Sequence, residues 1–146
     1  MAGSSVKIRV LLVDDEEKFV ETLAERLAVR NFVVATAYNG DEALACIHEK
    51  EIDLVVLDVL MPGMNGVEIL RKIKENKPLV EVIMLTGHAT VETAIEGMKL
   101  GAYDYLIKPI ETEERIEKIK KAHHRKAEQD ERILKAEIDR IVERRG

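Results

Sequence analysis

The sequence predicts an α/β protein built on a doubly wound parallel sheet, with helices on both faces. Short runs rich in Val, Ile and Leu alternate along the first 110 residues with segments whose apolar residues recur at helical spacing. Turn-forming residues follow several of the runs. Such regular alternation implies parallel strands joined by right-handed crossovers. The chain has 146 residues, a length that predicts one domain with one sizeable core.

Five apolar runs are the predicted strands. Each is nearly continuous rather than alternating, which is typical of a strand buried on both faces of a parallel sheet. The predicted strands are Ile8–Val13, Phe32–Ala37, Leu54–Leu57, Val80–Leu85 and Tyr105–Ile107.

Apolar residues at helical spacing predict an amphipathic helix after each of the first four strands. Asn39-Gly40 and Pro62-Gly63 are turn signals after the second and third strands, Gly87 follows the fourth, and Gly101 is expected to close the fourth helix. The predicted core-facing residues are Phe19, Leu23 and Leu27; Ala43, Leu44 and Ile47; Ile69, Leu70 and Ile73; and Val91, Ala94, Ile95 and Met98.

A fifth helix is expected to begin near Thr112 and to continue towards Gly146, because no residue between them breaks it. It could reach ~35 residues, or ~50 Å. An apolar stripe along its far part has nothing in the preceding domain to pack on, which predicts pairing of two copies, although Asp130 and Glu137 interrupt strict heptads. The stripe consists of Ala127, Leu134, Ile138 and Ile141.

Composition excludes several classes of function. The chain has 23 Lys and Arg against 28 Asp and Glu, only 3% aromatic residues and no Trp. This acidic balance predicts neither direct nucleic-acid binding nor attachment to an anionic membrane. The single Cys46, expected in the core, allows no internal disulfide framework and fits a reducing compartment. Because no apolar run approaches ~18 residues, we expect no membrane span and a cytoplasmic location.

Reactive side chains follow four of the five predicted strands. Asp14 and Asp15 follow the first strand, Asp58 the third, Thr86 the fourth and Lys108 the fifth. In parallel α/β sheets, ligands bind beyond the carboxyl ends of the strands. In an order such as 2-1-3-4-5, strands 1 and 3 are neighbours, so the three carboxylates would lie close together.

Three clustered carboxylates repel one another, and a hard divalent cation such as Mg²⁺ relieves the repulsion. The other groups suit a transferred phosphoryl group: Lys108 offers positive charge, Thr86 a hydroxyl donor, and Asp58 a carboxylate nucleophile. Taken singly, Asp14 and Asp15 could merely supply negative charge to a helix N-terminus, and Asp58 could cap a turn. The combination of acids, a hydroxyl and a lysine at one edge of the sheet favours a functional site over these separate roles. A nucleotide-binding loop is excluded, because no glycine follows the first strand.

Four motifs carry a specific resemblance. They are Leu11-Leu12-Val13-Asp14-Asp15, Leu57-Asp58-Val59-Leu60-Met61-Pro62-Gly63-Met64-Asn65-Gly66, Leu85-Thr86-Gly87 and Tyr105-Leu106-Ile107-Lys108-Pro109. In this order and at these spacings, the chain resembles the receiver domain of two-component response regulators over roughly residues 6–125. The resemblance implies a flavodoxin-like (βα)₅ fold of order 2-1-3-4-5. Outside the matching region, we expect residues 1–5 to be disordered and residues 126–146 to extend the fifth helix.

The resemblance also implies a role for each matching residue. Asp58 would be the phosphorylated aspartate, and Asp14 and Asp15 would hold Mg²⁺ together with Asp58 and the backbone carbonyl of Leu60. Thr86 and Lys108 would contact phosphoryl oxygens, and the Lys108–Pro109 peptide would be cis. Tyr105 would be the switch aromatic, turning inward when Thr86 moves. The roles implied for phosphotransfer and switching thus fall on Asp14, Asp15, Asp58, Leu60, Thr86, Tyr105 and Lys108.

The implied function is a phosphorylation-dependent switch rather than an enzyme. The donor would be a sensor histidine kinase or phosphotransfer protein, with only self-catalysed phosphotransfer and slow autodephosphorylation on the chain itself. Output would pass through the surface formed by helix 4, strand 5 and helix 5. The middle and C-terminal motifs resemble receivers that precede enhancer-binding ATPase modules, so a stand-alone regulator and a fragment are both open.

Two alternatives follow from the same residues. A Mg²⁺-dependent phosphatase of the haloacid-dehalogenase type also forms an aspartyl-phosphate, but it needs a second acid two residues after the nucleophile, where this chain has Leu60. A degenerate scaffold receiver would not turn over phosphate, and it is disfavoured because every signature residue is present.

Overall fold

A single parallel sheet organises the protein. The computed structural model describes residues 7–61, 64–86, 91–107, 114, 116–124, 132, 135–136 and 138. Within them the sheet has five strands in the spatial order 2-1-3-4-5, so the predicted topology is confirmed. The strands are β1 (Ile8–Val13), β2 (Phe32–Ala37), β3 (Leu54–Asp58), β4 (Glu81–Thr86) and β5 (Asp104–Ile107).

The strand boundaries differ slightly from the prediction at the ends that matter for the site. β3 includes Asp58 and β4 includes Thr86, so each strand ends one residue later than the apolar run that predicted it. A polar residue at the end of a buried strand can still form the backbone hydrogen bonds between strands. The hydropathy of the sequence does not show these bonds. The prediction also missed a short antiparallel ladder between Leu60–Met61 and Met64–Asn65, which folds the chain back after β3.

Helices follow the strands as predicted, and asparagine caps begin two of them. The Asn39 side chain accepts the N–H of Glu42 at 2.9 Å, and the Asn65 side chain accepts that of Val67 at 2.8 Å. Gly101, with φ +102°, follows the fourth helix as expected. The helices are α1 (Glu17–Ala28), α2 (Gly40–Glu49), α3 (Gly66–Asn76), α4 (Val91–Lys99) and α5, described at residues 114 and 116–124.

The sheet separates two apolar layers, because successive side chains of a strand point to opposite faces. Val10, Leu12, Leu54 and Val56 pack with α1 and α5 on one face, where Leu23, Leu27, Ile116 and Ile119 are buried. Leu11, Val13, Val55 and Leu57 pack with α2 and α3 on the other, where Ile47, Ile69, Leu70 and Ile73 are buried. Phe19 and Leu44 are partly buried, so the predicted core faces of α1, α2 and α3 are confirmed.

The predicted core face of α4 is wrong. Ile95 and Met98 are 50% and 47% exposed, and Ala94 is half-buried. Gly97 is buried instead, and a Cβ added there would lie 2.3 Å from Sδ of the fully buried Met84. The helix approaches the sheet through Gly97. The prediction failed because it counted apolar side chains, and glycine has none. The side chain of Val91 lies outside the described residues.

Charged side chains close the amino-terminal edge of the sheet, opposite the strand ends that carry the reactive residues. Arg9 donates through Nε to Oδ2 and through a terminal nitrogen to Oδ1 of the buried Asp53, both at 3.2 Å, and it also binds Glu51. The hydrogen bonds that Arg9 donates, first to Asp53 and then to Glu51, raise the pKa of its guanidinium. Nearby, Lys74 Nζ lies 3.5 Å from Oε1 of the buried Glu81. These pairs satisfy charges where the chain enters β1, β3 and β4.

α5 completes the layer on the α1 face of the sheet. Lys118 Nζ binds Asp104 Oδ2 at 3.0 Å, and this hydrogen bond raises the pKa of Lys118. Residues 132, 135, 136 and 138 are helical, and Ile138 is half-exposed. The predicted start near Thr112, the apolar residues Ala127, Leu134 and Ile141, and residues 1–5 lie outside the described residues.

Two sequence-based expectations outside the site have structural outcomes. Cys46 is half-buried and packs against the layer under α2 and α3, and burial raises the pKa of its thiol. Among the described residues, none forms a helix that is both long enough and apolar enough to cross a membrane.

Candidate functional site

Strand register brings the reactive residues to one edge of the sheet. Val13 is opposite Leu57 across β1 and β3, so the residues that follow each of them, Asp14 and Asp58, emerge at the same level. Asp58 is in turn opposite Leu85 of β4, and the next residue, Thr86, is opposite Ile107 of β5. The carboxyl ends of four adjacent strands therefore meet around Asp58, at the point where the chain order reverses.

Three carboxylates form a cluster at this edge. Asp14, Asp15 and Asp58 each offer an oxygen, and these oxygens all lie within 4.8 Å of one another. Asp14 is 3% and Asp58 5% exposed, whereas Asp15 is open to solvent. Asp14 Oδ1 accepts the N–H of Glu16 at 3.0 Å, which orients the carboxylate where the chain turns into α1. The cluster predicted from the strand ends is thus observed.

The donor set fits Mg²⁺. All three side chains offer carboxylate oxygens, the ligands that this hard cation prefers in proteins. Oxygens held about 2.1 Å from one ion lie within about 4.2 Å of each other, so a small side-chain movement brings the cluster to that size. The solvent-facing position of Asp15 leaves room for the waters that Mg²⁺ usually retains.

The remaining predicted site residues are described in part. Thr86 ends β4 and Leu60 lies in the short ladder directly after β3, but their side chains are outside the described residues. Lys108 and Pro109 also lie outside them. Tyr105 is half-buried on β5, and its hydroxyl lies 3.1 Å from Oγ1 of Thr93 on α4. The role of Thr93 could not be predicted from sequence, because a hydroxyl pair between a helix and a strand leaves no periodic signal.

Gly66 fixes the backbone next to the carboxylate cluster. Its N–H donates to the carbonyl of Val59 at 2.9 Å, where α3 begins. A Cβ at Gly66 would lie 2.5 Å from Val59 Cα and 2.8 Å from the carbonyl oxygen of Asp58. Because these atoms belong to the backbone that carries Asp58, only a residue without a side chain allows this approach.

We expect Gly66→Ala to lower the free energy of unfolding by about 1–3 kcal/mol, since the added methyl group overpacks against rigid backbone. Urea unfolding measures this change. Gly97→Ala is the matched control: its Cβ meets the side chains of Met84 and Leu70 rather than backbone, and alanine favours the helix, so the loss should be smaller. An equal or larger loss in the control would contradict the account of Gly66.

A doubly wound parallel sheet with a cluster of three carboxylates at its switch point defines a flavodoxin-like α/β protein with an acidic site. Comparison with known proteins identifies the family: the response regulator receiver domain matches residues 10–120. The chain belongs to this family. Receiver domains are the signalling switches of two-component systems; they generally bind Mg²⁺ at an acidic site, and they interact with histidine kinases or phosphotransfer proteins.

Named relatives support this assignment over most of the chain. The transcriptional regulatory protein ZraR of Salmonella typhimurium is 41% identical over 116 residues, which cover 80% of this chain and 26% of that protein. A putative NtrX-like response regulator of Rickettsia typhi is 38% identical over 118 residues, covering 80% of this chain and 25% of that protein. The chain thus spans about a quarter of the length of these two regulators.

Solved structures show the same fold. A CheY-like response regulator receiver domain protein from Methanospirillum hungatei superposes with a TM-score of 0.83 at 29% identity, covering 85% of this chain and 99% of that one. NtrX from Brucella abortus, in complex with ADP, gives a TM-score of 0.81 at 31% identity over 86% of this chain and 29% of that one. The predicted flavodoxin-like fold is confirmed.

Proposed function

We propose that Asp58 is the phosphoacceptor of this receiver. A carboxylate oxygen of Asp58 attacks the phosphorus of a phosphohistidine, the nitrogen–phosphorus bond of the donor breaks, and an acyl phosphate forms. The observation that carries this proposal is the cluster of Asp14, Asp15 and Asp58 at the carboxyl edge of the sheet. Asp58 ends the central strand of the sheet, so the attacking carboxylate is held by rigid backbone.

Asp14, Asp15 and Asp58 would hold Mg²⁺, together with the backbone carbonyl of Leu60. The bound ion would neutralise charge on the phosphoryl oxygens during transfer. Thr86 would donate its hydroxyl to one of these oxygens and Lys108 would pair with another, as their positions in the family motifs imply. The carboxyl ends of β1, β3, β4 and β5 meet at one edge of the sheet, which supports this division of roles.

The chain would not be an enzyme acting on other substrates. Its chemistry would be limited to self-catalysed phosphotransfer and slow autodephosphorylation, because an apolar Leu60 cannot orient a hydrolytic water. Leu60 also stands where a phosphatase of the alternative class needs its second acid, and no observation favours that alternative. The cognate donor would be a sensor histidine kinase or a phosphotransfer protein. The location would be cytoplasmic, and a single cysteine fits that reducing compartment.

The output surface would comprise α4, β5 and α5. Phosphorylation adds ~1.5–2 negative charges at Asp58, so the surrounding loops must rearrange to neutralise them. Movement of Thr86 would admit the ring of Tyr105, and α4 lies directly beside that ring. The half-exposed Ile95 and Met98 give α4 an apolar outer surface that a partner could cover.

The domain organisation is part of the same proposal. Residues 6–125 would form the receiver and residues 126–146 a helical extension. The longer relative ZraR is named as a transcriptional regulatory protein, so DNA-binding output would belong to regions outside the receiver. We place no direct nucleic-acid binding on this chain, which has a net charge of −5.

Incubation with acetyl phosphate and Mg²⁺ tests the proposed function. We expect intact-protein mass spectrometry to show one added phosphoryl group, because the acceptor and its supporting acids lie on the chain itself. The same incubation with EDTA should give little or no adduct. Equal phosphorylation in EDTA would contradict the role of the acidic cluster.

We expect phosphorylation to strengthen self-association through the extension, because the apolar stripe that includes Ile138 needs a partner. Interrupted heptads predict weak pairing before phosphorylation. Sedimentation of the full chain and of a chain ending at Arg125, each with and without phosphodonor, measures this. Monomers in all four samples would contradict the dimer and leave the extension as a docking helix for another protein.

A further inference from the structure

Helix α4 meets the sheet through small residues and one hydroxyl pair. Its larger apolar side chains, Ile95 and Met98, are about half exposed and contribute little to that contact. On the opposite face, Gly97 lies against Met84 of β4. Thr93 is four residues before Gly97, so both lie on the same face of the helix. The half-buried Thr93 Oγ1 and Tyr105 hydroxyl are 3.1 Å apart, and either can donate the hydrogen bond.

Tyr105 links this contact to the phosphorylation site. It is opposite Met84 in the strand register, two residues before Ile107, which is opposite Thr86. Its ring packs against the layer under α2 and α3, on the same face of the sheet as Met84. A change at the end of β4 therefore reaches the ring through adjacent strand positions, and the ring hydroxyl contacts the first turn of α4.

We propose that the Thr93 hydroxyl is a positioning group that couples the Tyr105 ring to helix α4. When the ring moves, the shared hydrogen bond carries the first turn of α4 with it, while Gly97 lets the helix slide over Met84 without a side chain in the way. The surface bearing Ile95 and Met98 then changes its position with the ring. This coupling rests on the proposed switch function, and it makes Thr93 the residue that passes the movement of the ring to α4.

Four variants test the coupling. Thr93→Val removes the hydroxyl and keeps the branched shape, Thr93→Ser keeps the hydroxyl, Tyr105→Phe removes the other partner, and a double variant combines Thr93→Val with Tyr105→Phe. Backbone amide spectra of the full chain, recorded with and without acetyl phosphate and Mg²⁺, follow the signals of α4. Mass spectrometry of the same samples reports phosphorylation at the same time.

We expect phosphorylation to shift the α4 amides in the wild type and in Thr93→Ser. In Thr93→Val and in Tyr105→Phe the shift should shrink about threefold or more, the scale of one net hydrogen bond. The double variant should resemble either single variant, because both remove the same bond. A full α4 response in the phosphorylated single variants, or no rescue by serine, would overturn the proposal. Failure of the wild type to phosphorylate would instead contradict the proposed function.

Discussion

Asp58→Asn should take up no phosphoryl group from acetyl phosphate while keeping the wild-type fold. Asparagine has nearly the same shape as aspartate, but its neutral amide is not a nucleophile towards phosphorus, so the acyl phosphate cannot form. Intact-protein mass spectrometry measures the adduct, and circular dichroism checks the fold. Persistent phosphorylation of this variant would place the acceptor elsewhere.

Asp53→Asn is the matched control for that variant. Asp53 is also a buried aspartate, and it precedes the same strand that Asp58 ends, at the opposite edge of the sheet. Its carboxylate is bound by Arg9, so its loss should cost about 1–2 kcal/mol of unfolding free energy. It should nevertheless be phosphorylated as the wild type is. Loss of phosphorylation in a folded Asp53→Asn protein would show that removing a buried acid from this sheet is enough to abolish uptake.

Asp15→Asn should remove about half of the stabilisation that Mg²⁺ gives the wild-type protein. Three carboxylates lie within 4.8 Å in the cluster, so replacing one removes both a ligand and mutual repulsion. Without the metal, the variant should therefore unfold at an equal or higher temperature than the wild type. In Mg²⁺ at about 100 times the dissociation constant, the wild type gains about 2.7 kcal/mol, and a tenfold weaker site in the variant loses about half of that gain.

Thermal unfolding with EDTA and with a series of Mg²⁺ concentrations compares the stability of the variant and of the wild type with and without the metal. Asp41→Asn is the control, because Asp41 is an exposed acid in the first turn of α2 and gives the same change in net charge away from the cluster. Its response to Mg²⁺ should equal that of the wild type. If Asp15→Asn keeps the full response to Mg²⁺, Asp15 contributes nothing to the metal site.

The sequence predicted the features that depend on local pattern. Continuous apolar runs located β1 and β3 because buried parallel strands have no polar face, and a similar run located β2, which is a partly exposed edge strand. The order of the strands then placed Asp14 and Asp58 together, since residues that end neighbouring parallel strands share an edge. Turn residues also located a helix start: Asn39, part of the predicted turn after β2, caps the N-terminus of α2.

Features that depend on tertiary contact were not predictable in the same way. The apolar spacing of α4 predicted Ile95 and Met98 in the core, but the close approach of Gly97 to Met84 turns them outward. Arg9 and Asp53 are 44 residues apart, so no local pattern joins them. The bond between Thr93 and Tyr105 likewise forms only when α4 docks beside β5.

Chemical mapping of the phosphorylated residue tests the central claim most directly. The wild-type chain, phosphorylated with acetyl phosphate and Mg²⁺, is treated with borohydride, which reduces an aspartyl-phosphate to homoserine, and its peptides are sequenced by mass spectrometry. We expect homoserine at position 58 and unmodified aspartate at positions 14, 15 and 53. Homoserine at any other position, with aspartate retained at 58, would contradict the account.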